Sequence, residues 1–350
     1  IKTAEPFLPA GTVIAREQTY VHTFYKKEAT AQQPATSKEE GNLVAFSGPD
    51  FKATFDKQSG LLTSYLYKKH EYILNGQGPR PFFWRAPTDN DYGANLPVRL
   101  KAWKEASYQE PKAESFQVTP GSNATTIKVT YRFPQTDARW DITYKIYASG
   151  VIKVDNRFVA EGDQAPMIPR VGLRMQLPES FTDLTYYGRG PKENYRDRRT
   201  SQFIGEYAIP VKDMYEPYVR PQENNHRTDI YWCALTDKTQ RGLLLIADRT
   251  FELNTSNYPL ESMDSGDTID NSAPRTEKTH HRHLTDPLPE KMVDLFIDYR
   301  MMGVGGDDSW GATAHEPYLI RPGKENAIEY GFSLVPFDKK EDYKYLIRQY

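Results

Sequence analysis

Ile127-Lys-Val-Thr-Tyr-Arg-Phe133 and Ile142-Thr-Tyr-Lys-Ile146 are followed by Ser149-Gly150 and then by Ile152-Lys-Val-Asp-Asn-Arg-Phe158. Ile127, Val129, Tyr131 and Phe133 alternate with Lys128, Thr130 and Arg132, and Ile142, Tyr144 and Ile146 alternate in the same way. A period of two sends successive side chains to opposite faces of a strand. Ser-Gly between two such runs reads as a hairpin turn. The pattern recurs outward in both directions. Phe51, Ala53 and Phe55 lead through Gln58-Ser59-Gly60 into Leu61-Leu-Thr-Ser-Tyr-Leu-Tyr67. Further along come Val171, Leu173, Met175 and Leu177; then Val293, Leu295, Ile297 and Tyr299; then Ile328, Tyr330, Phe332 and Leu334. At least eight half-apolar segments of this kind argue for large antiparallel sheets packed face to face. Helical spacing is scarce: Leu96, Leu100 and Trp103 fit one short helix, and Tyr343, Leu346, Ile347 and Tyr350 a second near residue 350. The expected class is all-β, a large antiparallel sandwich.

Composition narrows the function. The chain has 350 residues with 45 Lys+Arg against 47 Asp+Glu, a formal charge of -2 that offers no concentrated basic face for nucleic acid. Its longest apolar run, Leu243 to Ala247, falls far short of the roughly 20 residues of a membrane helix. A single thiol, Cys233, excludes an internal disulfide and leaves the compartment undetermined, cytoplasmic or periplasmic. The chain starts at Ile1 without methionine, which reads as a processed chain or a piece of a longer one. Gly11-Thr-Val-Ile-Ala15 is a lone apolar stretch, and a single strand cannot bury its own faces. Residues 26–41 are charged and rich in Ala, Gln, Ser and Thr, a linker composition. Residues 1–25 therefore read as the end of one domain, 42–335 as the main β domain, and 336–350 as a tail with helical spacing.

Chemistry concentrates in four loops. In Phe83-Trp-Arg-Ala-Pro-Thr-Asp-Asn-Asp-Tyr-Gly93, a calcium loop counted from Asp89 would need a glutamate where Leu100 stands, so the motif fails. Asx turns with a pairing to Arg85 fit better. The second stretch joins residues 186–199 to 218–227 and holds Glu193, Asp197, Glu223, His226 and Arg227. Carboxylates from two loops suit a glycosidase pair, but abundant arginine would depress their pKa values, which equally suits a buried Arg–carboxylate network. These side chains are candidates for sugar binding or for stapling loops together. In His280-His-Arg-His283, no carboxylate or cysteine stands at metal-ligand spacing, and no metal site is expected. The fourth is Met301-Met-Gly-Val-Gly-Gly-Asp-Asp-Ser-Trp-Gly311. Adjacent Asp307 and Asp308 repel each other too strongly for an ionised catalytic pair. Trp310, between Ser309 and Gly311, is placed as an exposed platform for a sugar ring or as a cap in a tight turn. No nucleophile elbow, P-loop, dinucleotide fingerprint or zinc spacing occurs. The residues alone supply no complete catalytic set.

These loops carry a resemblance. Residues 83–93, Gly188-Arg-Gly-Pro-Lys-Glu-Asn-Tyr-Arg-Asp-Arg198, Met214-Tyr-Glu-Pro-Tyr-Val-Arg-Pro-Gln-Glu-Asn224, His281-Arg-His-Leu284 and Gly303-Val-Gly-Gly-Asp-Asp-Ser-Trp310 resemble, in order, the small-chain region of β-galactosidases of glycoside hydrolase family two. Residues 1–25 resemble the last strand of the immunoglobulin-like domain that precedes this region. The resemblance implies a galactose mutarotase-like supersandwich over 42–335. It places the two catalytic glutamates of a retaining mechanism, with magnesium and sodium, in an upstream TIM barrel, so no catalytic residue, cofactor or metal is expected here and the chain alone should be inactive. It implies that Trp310 completes the active-site mouth for β-galactoside, with Asp307, Asp308 and Ser309 shaping its loop. The implied partners are that barrel, the immunoglobulin-like domain and further copies in a homo-oligomer, with no nucleic acid or membrane. Asn225-His226 departs from the family pattern, which has glycine there. The alternatives are a free-standing carbohydrate-binding module and a mutarotase-like epimerase using His226 with Glu223 or Glu193.

Overall fold

The computed structural model describes residues 2–19, 32–160, 167–266, 283–308, 311–321, 323, 325–339 and 341–350. Among these residues a five-stranded sheet runs in sequence order: β1 (Thr36–Glu40), β2 (Leu43–Ser47), β3 (Phe51–Asp56), β4 (Leu62–Tyr67) and β5 (His70–Glu71). After β6 (Arg80–Phe82) come three short helices, α1 (Asp89–Gly93), α2 (Leu96–Arg99) and α3 (Lys101–Tyr108). The second sheet then continues through β7 (Ala113–Thr119), β8 (Thr125–Phe133), β9 (Ala138–Ile146), β10 (Ile152–Ala160) and β11 (Arg170–Pro178). It is completed by β12 (Asp183–Gly190), β13 (Phe203–Pro210), β14 (Arg227–Thr236), β15 (Gly242–Ser256), β16 (Met292–Met301) and β17 (Ile328–Phe337), and α4 (Tyr343–Gln349) follows. The protein is all-β with antiparallel sheets, as the alternation predicts.

Residues 127–158 form β8, β9 and β10, which lie beside the β7 edge of the large sheet. Val129 pairs with Ile142, and Ile142 with Asn156, so three neighbouring strands present their apolar residues to the same side. There Phe55 of the small sheet meets Tyr144 at 5.0 Å between ring centroids. Phe83 packs against Trp103, Phe133, Trp140 and Phe158 at 4.9–5.4 Å. Burying each such side chain stabilises the fold by roughly 1.5–3 kcal/mol. The helical spacing at Leu96–Trp103 resolves into α2 and α3, broken at Leu100, whose φ of −109 is not helical.

β15 is the branch point. Its first part, Gly242–Ala247, pairs with β17, while Glu252–Ser256 pairs with β16. The ladder β13-β12-β14-β15-β17-β10-β9-β8-β7 therefore carries a side branch β16-β11-β6. Between the branches Asp248, Arg249 and Thr250 fall outside both registers.

Two boundaries differ from the sequence reading. The strand β1 lies inside the stretch read as linker, residues 26–41, and pairs with β2. All of its residues are exposed, so it shows no apolar alternation, and its Lys38, Glu39 and Glu40 protect a sheet edge. The strand β17 extends to Phe337, and α4 packs on the sheet through Tyr343 against Trp232 and Phe337 at 6.0 and 5.5 Å. Residues 336–350 thus belong to the fold rather than trailing from it. Residues 2–19 hold no ladder strand; Gln18 alone reaches the β13 edge, bonding both the N–H and the carbonyl of Ile204 at 2.8 Å. No helix among the described residues is long and apolar enough to cross a membrane.

Candidate functional site

The glycine-rich arm after β16 is held from two sides. Arg85 donates to the carbonyls of Met302 and Gly303 at 2.7 and 3.1 Å. The same guanidinium is fixed by a two-point contact with Asp91 at 3.0 and 2.7 Å. Asp91 also closes a capping box with Thr88 at the start of α1, so its carboxylate is occupied by protein donors, in line with the failed calcium motif. From the other side Asp197 accepts from the N–H groups of Val304 and Gly305 at 3.2 and 2.7 Å. Glycine is required where the chain passes this close. A Cβ on Gly303 would lie 2.6 Å from Asp197 Oδ2, and one on Gly306 would lie 2.2 Å from the Ala312 carbonyl.

The far end is also tied down. Asp308 accepts from Ala312 N–H at 3.1 Å, and Gly311, at φ +140, passes the Gly93 carbonyl. Asp307 is solvent-exposed and bonds His315 at 2.8 Å. Ser309 and Trp310 lie outside the described residues, so the structure fixes the arm on either side of them. His280 and His281 also lie outside; His283 is exposed, its N–H donating to Asp286 at 2.9 Å.

Beneath the arm the second set of candidates forms a buried network. Arg170, fully buried, donates to Asn254 Oδ1 at 2.9 Å and Glu223 at 3.3 Å, and stands 3.2 Å from Asp298. Asn254 donates to Glu223 at 2.9 Å and to the Asn224 carbonyl at 2.7 Å, which fixes its amide orientation. His226 places Nδ1 2.6 Å from Asn254 Oδ1 and Nε2 2.9 Å from Glu252. Both ring nitrogens face oxygens of neighbouring side chains. Burial alone would raise the Glu252 carboxyl. The His226 contact, Arg196 and the Met301 N–H outweigh that and hold it below the usual carboxylate range. Asp298 goes the other way. Burial pushes its carboxyl up to about 7 despite Arg170, whose contact is not aligned as a hydrogen bond.

Glu223, His226 and Arg227 are 4%, 1% and 3% exposed, and their described contacts all lead to protein groups. Arg227 donates to the carbonyls of Pro191, Asn225 and His226. Glu223, His226 and Arg227 therefore lie inside the buried network rather than on an open surface. Glu193 accepts from Asn225 N–H at 2.8 Å and from Arg198 and Tyr218 at its other oxygen. Asn225 takes φ +57, a left-handed conformation that glycine adopts freely and asparagine tolerates. Sequence reasoning missed Glu252 and Asn254. They sit on β15 beside Leu253, which is equally buried, so both strand faces are covered and alternation gives no sign of an inward polar side. Among the described residues no group of three or more His, Cys, Asp or Glu is placed to hold a metal ion.

These features define an all-β domain that uses buried ionic networks to hold its loops. The chain belongs to the beta galactosidase small chain family, whose model matches residues 47–334. It is 33% identical to a beta-galactosidase of Priestia megaterium over 83% of this chain and 26% of that one. Against the Streptococcus thermophilus beta-galactosidase the figures are 27%, 97% and 31%. The chain thus spans about a quarter to a third of the length of these curated relatives. Among solved structures, a putative mutarotase, YeaD, from Salmonella typhimurium aligns at TM-score 0.46 and 9% identity, covering 90% of this chain and 97% of that one. A galactose 1-epimerase from Lactobacillus acidophilus aligns at 0.46 and 6%, covering 88% and 99%.

Proposed function

We propose that this chain is the C-terminal region of a β-galactosidase of glycoside hydrolase family two and completes its active-site mouth by presenting Trp310 to the substrate. The observation that carries this reading is the arm itself. Its backbone is held by Arg85 and Asp197 before Trp310, and by the Asp308–Ala312 bond across it. Such bracing is what a rigid sugar platform requires: geometry fixed before the ligand arrives. Asp307, Asp308 and Ser309 shape the turn, and Glu193 with the Glu223–His226–Arg227 network holds the loops beneath it. The two glutamates of the retaining reaction, magnesium and sodium belong in this reading to an upstream TIM barrel. That barrel, the immunoglobulin-like domain and further copies of the enzyme are the chain's partners. The burial of His226 weighs against an epimerase.

The test has two arms. In the full-length enzyme, Trp310→Ala should raise KM for aryl β-galactosides and shift the balance of hydrolysis and transfer, with Tm nearly unchanged. The isolated chain should hydrolyse no aryl β-galactoside. An unchanged KM and transfer ratio, or turnover by the isolated chain that disappears when one of its own carboxylates is replaced, would overturn the reading.

A further inference from the structure

A concavity lies at the fork where β15 divides between β16 and β17. Its volume is about 780 Å³ and its walls are strands, with side chains from β8, β9, β10, β15, β16 and β17. Tyr299 and Tyr330 bridge the fork, their rings 6.1 Å apart, and the Tyr330 hydroxyl donates to the Ile297 carbonyl at 3.1 Å. A wall of paired strands with its side chains locked in this way is a preformed site rather than a loop that must be ordered on binding.

The charges in the cleft do not cancel. Each lining carboxylate already has a cation: Asp141 has Arg139, Asp155 has Lys145 and Lys153, Asp248 has Lys153, and Glu329 has Arg157. Arg196, also in the wall, is committed to Glu252. Lys128, Arg249 and Arg300 line the same space with no carboxylate partner among the described residues. Arg300 lies over the Tyr299 ring at 5.2 Å, and its Nε is buried without a hydrogen-bond partner. Arg249 stands in the unpaired stretch of β15 at the fork. Guanidinium groups bind oxyanions through charge-assisted, often two-point hydrogen bonds.

We propose that this fork cleft is a binding site for a small oxyanion-bearing ligand, a carboxylate or phosphate compound, held by Arg249 and Arg300 against the Tyr299–Tyr330 wall. The site uses neither Trp310 nor the glycine-rich arm itself, although Arg196 in its wall adjoins Asp197 and shares Glu252 with Met301. Calorimetric titration of the purified chain with galacturonate, inorganic phosphate and neutral galactose tests it. Binding of galacturonate alone assigns a carboxylate ligand, binding of phosphate alone assigns a phosphate one, and binding of both assigns a general oxyanion site. In each case the joint Arg249→Ala and Arg300→Ala substitution should weaken binding at least about tenfold, and added salt should weaken it further. Arg249→Ala alone, at an exposed position, guards against a folding defect and should weaken binding severalfold. Failure of both anions to bind, equal affinity for galactose, or affinity unchanged in both variants would overturn the proposal.

Discussion

Asp298 shows how one residue sets a pH response. Its carboxyl is raised by burial from 3.8 to about 7 in the folded protein. Between those values the unfolded chain has released the proton and the folded protein has kept it, so stability falls as pH rises through that window. Above about 7 both states are ionised and the contribution is constant. Asp298→Asn should flatten this part of the profile, measured as urea midpoints from about pH 4 to pH 8; an identical slope in both proteins would contradict the assignment. Gly172 would resist any change here, since a Cβ on it would lie 1.8 Å from Asp298 Oδ1. At the arm, Asp197→Ala removes two charge-assisted bonds to backbone N–H groups. In the full-length enzyme, with Trp310 as the platform, this should raise KM about tenfold, equivalent to about 1.4 kcal/mol, while kcat changes little. The glycine cluster of the arm, Asp197 and Arg85 with its nearby aspartates each stand out in the sequence, but their meeting does not. The partners that brace the arm come from positions far off in the chain, which spacing does not encode.

At the scale of elements, period-two alternation located the strands wherever one face meets the core and the other meets water. It failed at both extremes. The strand β1 is exposed throughout and showed no alternation, and the second half of β15 is buried throughout, hiding Glu252 and Asn254 among apolar neighbours. That hidden half joins elements. Asn254 by itself bonds Arg170 of β11, Glu223 and the Asn224 carbonyl of the loop before β14, and His226 just ahead of that strand. Asn254→Leu would leave four buried polar groups short of a partner, at roughly 1–3 kcal/mol each. The expected loss is at least about 4 kcal/mol, read from the urea midpoint. A loss below about 1 kcal/mol would show that water or neighbouring side chains replace the amide.

For the whole molecule, α4 closes the outer face of the large sheet. Tyr343, Leu346 and Ile347 cover the cluster containing Trp232, Ile246 and Phe337. Ending the chain before Asp342 should cost about 2 kcal/mol and lower Tm by several degrees. It should also increase binding of a hydrophobic dye, and an unchanged melt would separate the helix from the fold. The arm has a consequence of another kind, in the order of assembly. Arg85 reaches Met302 across 217 positions, and Asp197 reaches Val304 across 107. Contacts between such distant positions close large loops and form slowly, after the hairpins that need only a neighbour. The arm should therefore gain protection late in refolding, after β8–β10, in pulse-labelled hydrogen exchange. A chain caught part-way would carry its sheets without a braced arm, so protection of the arm would report that folding is complete.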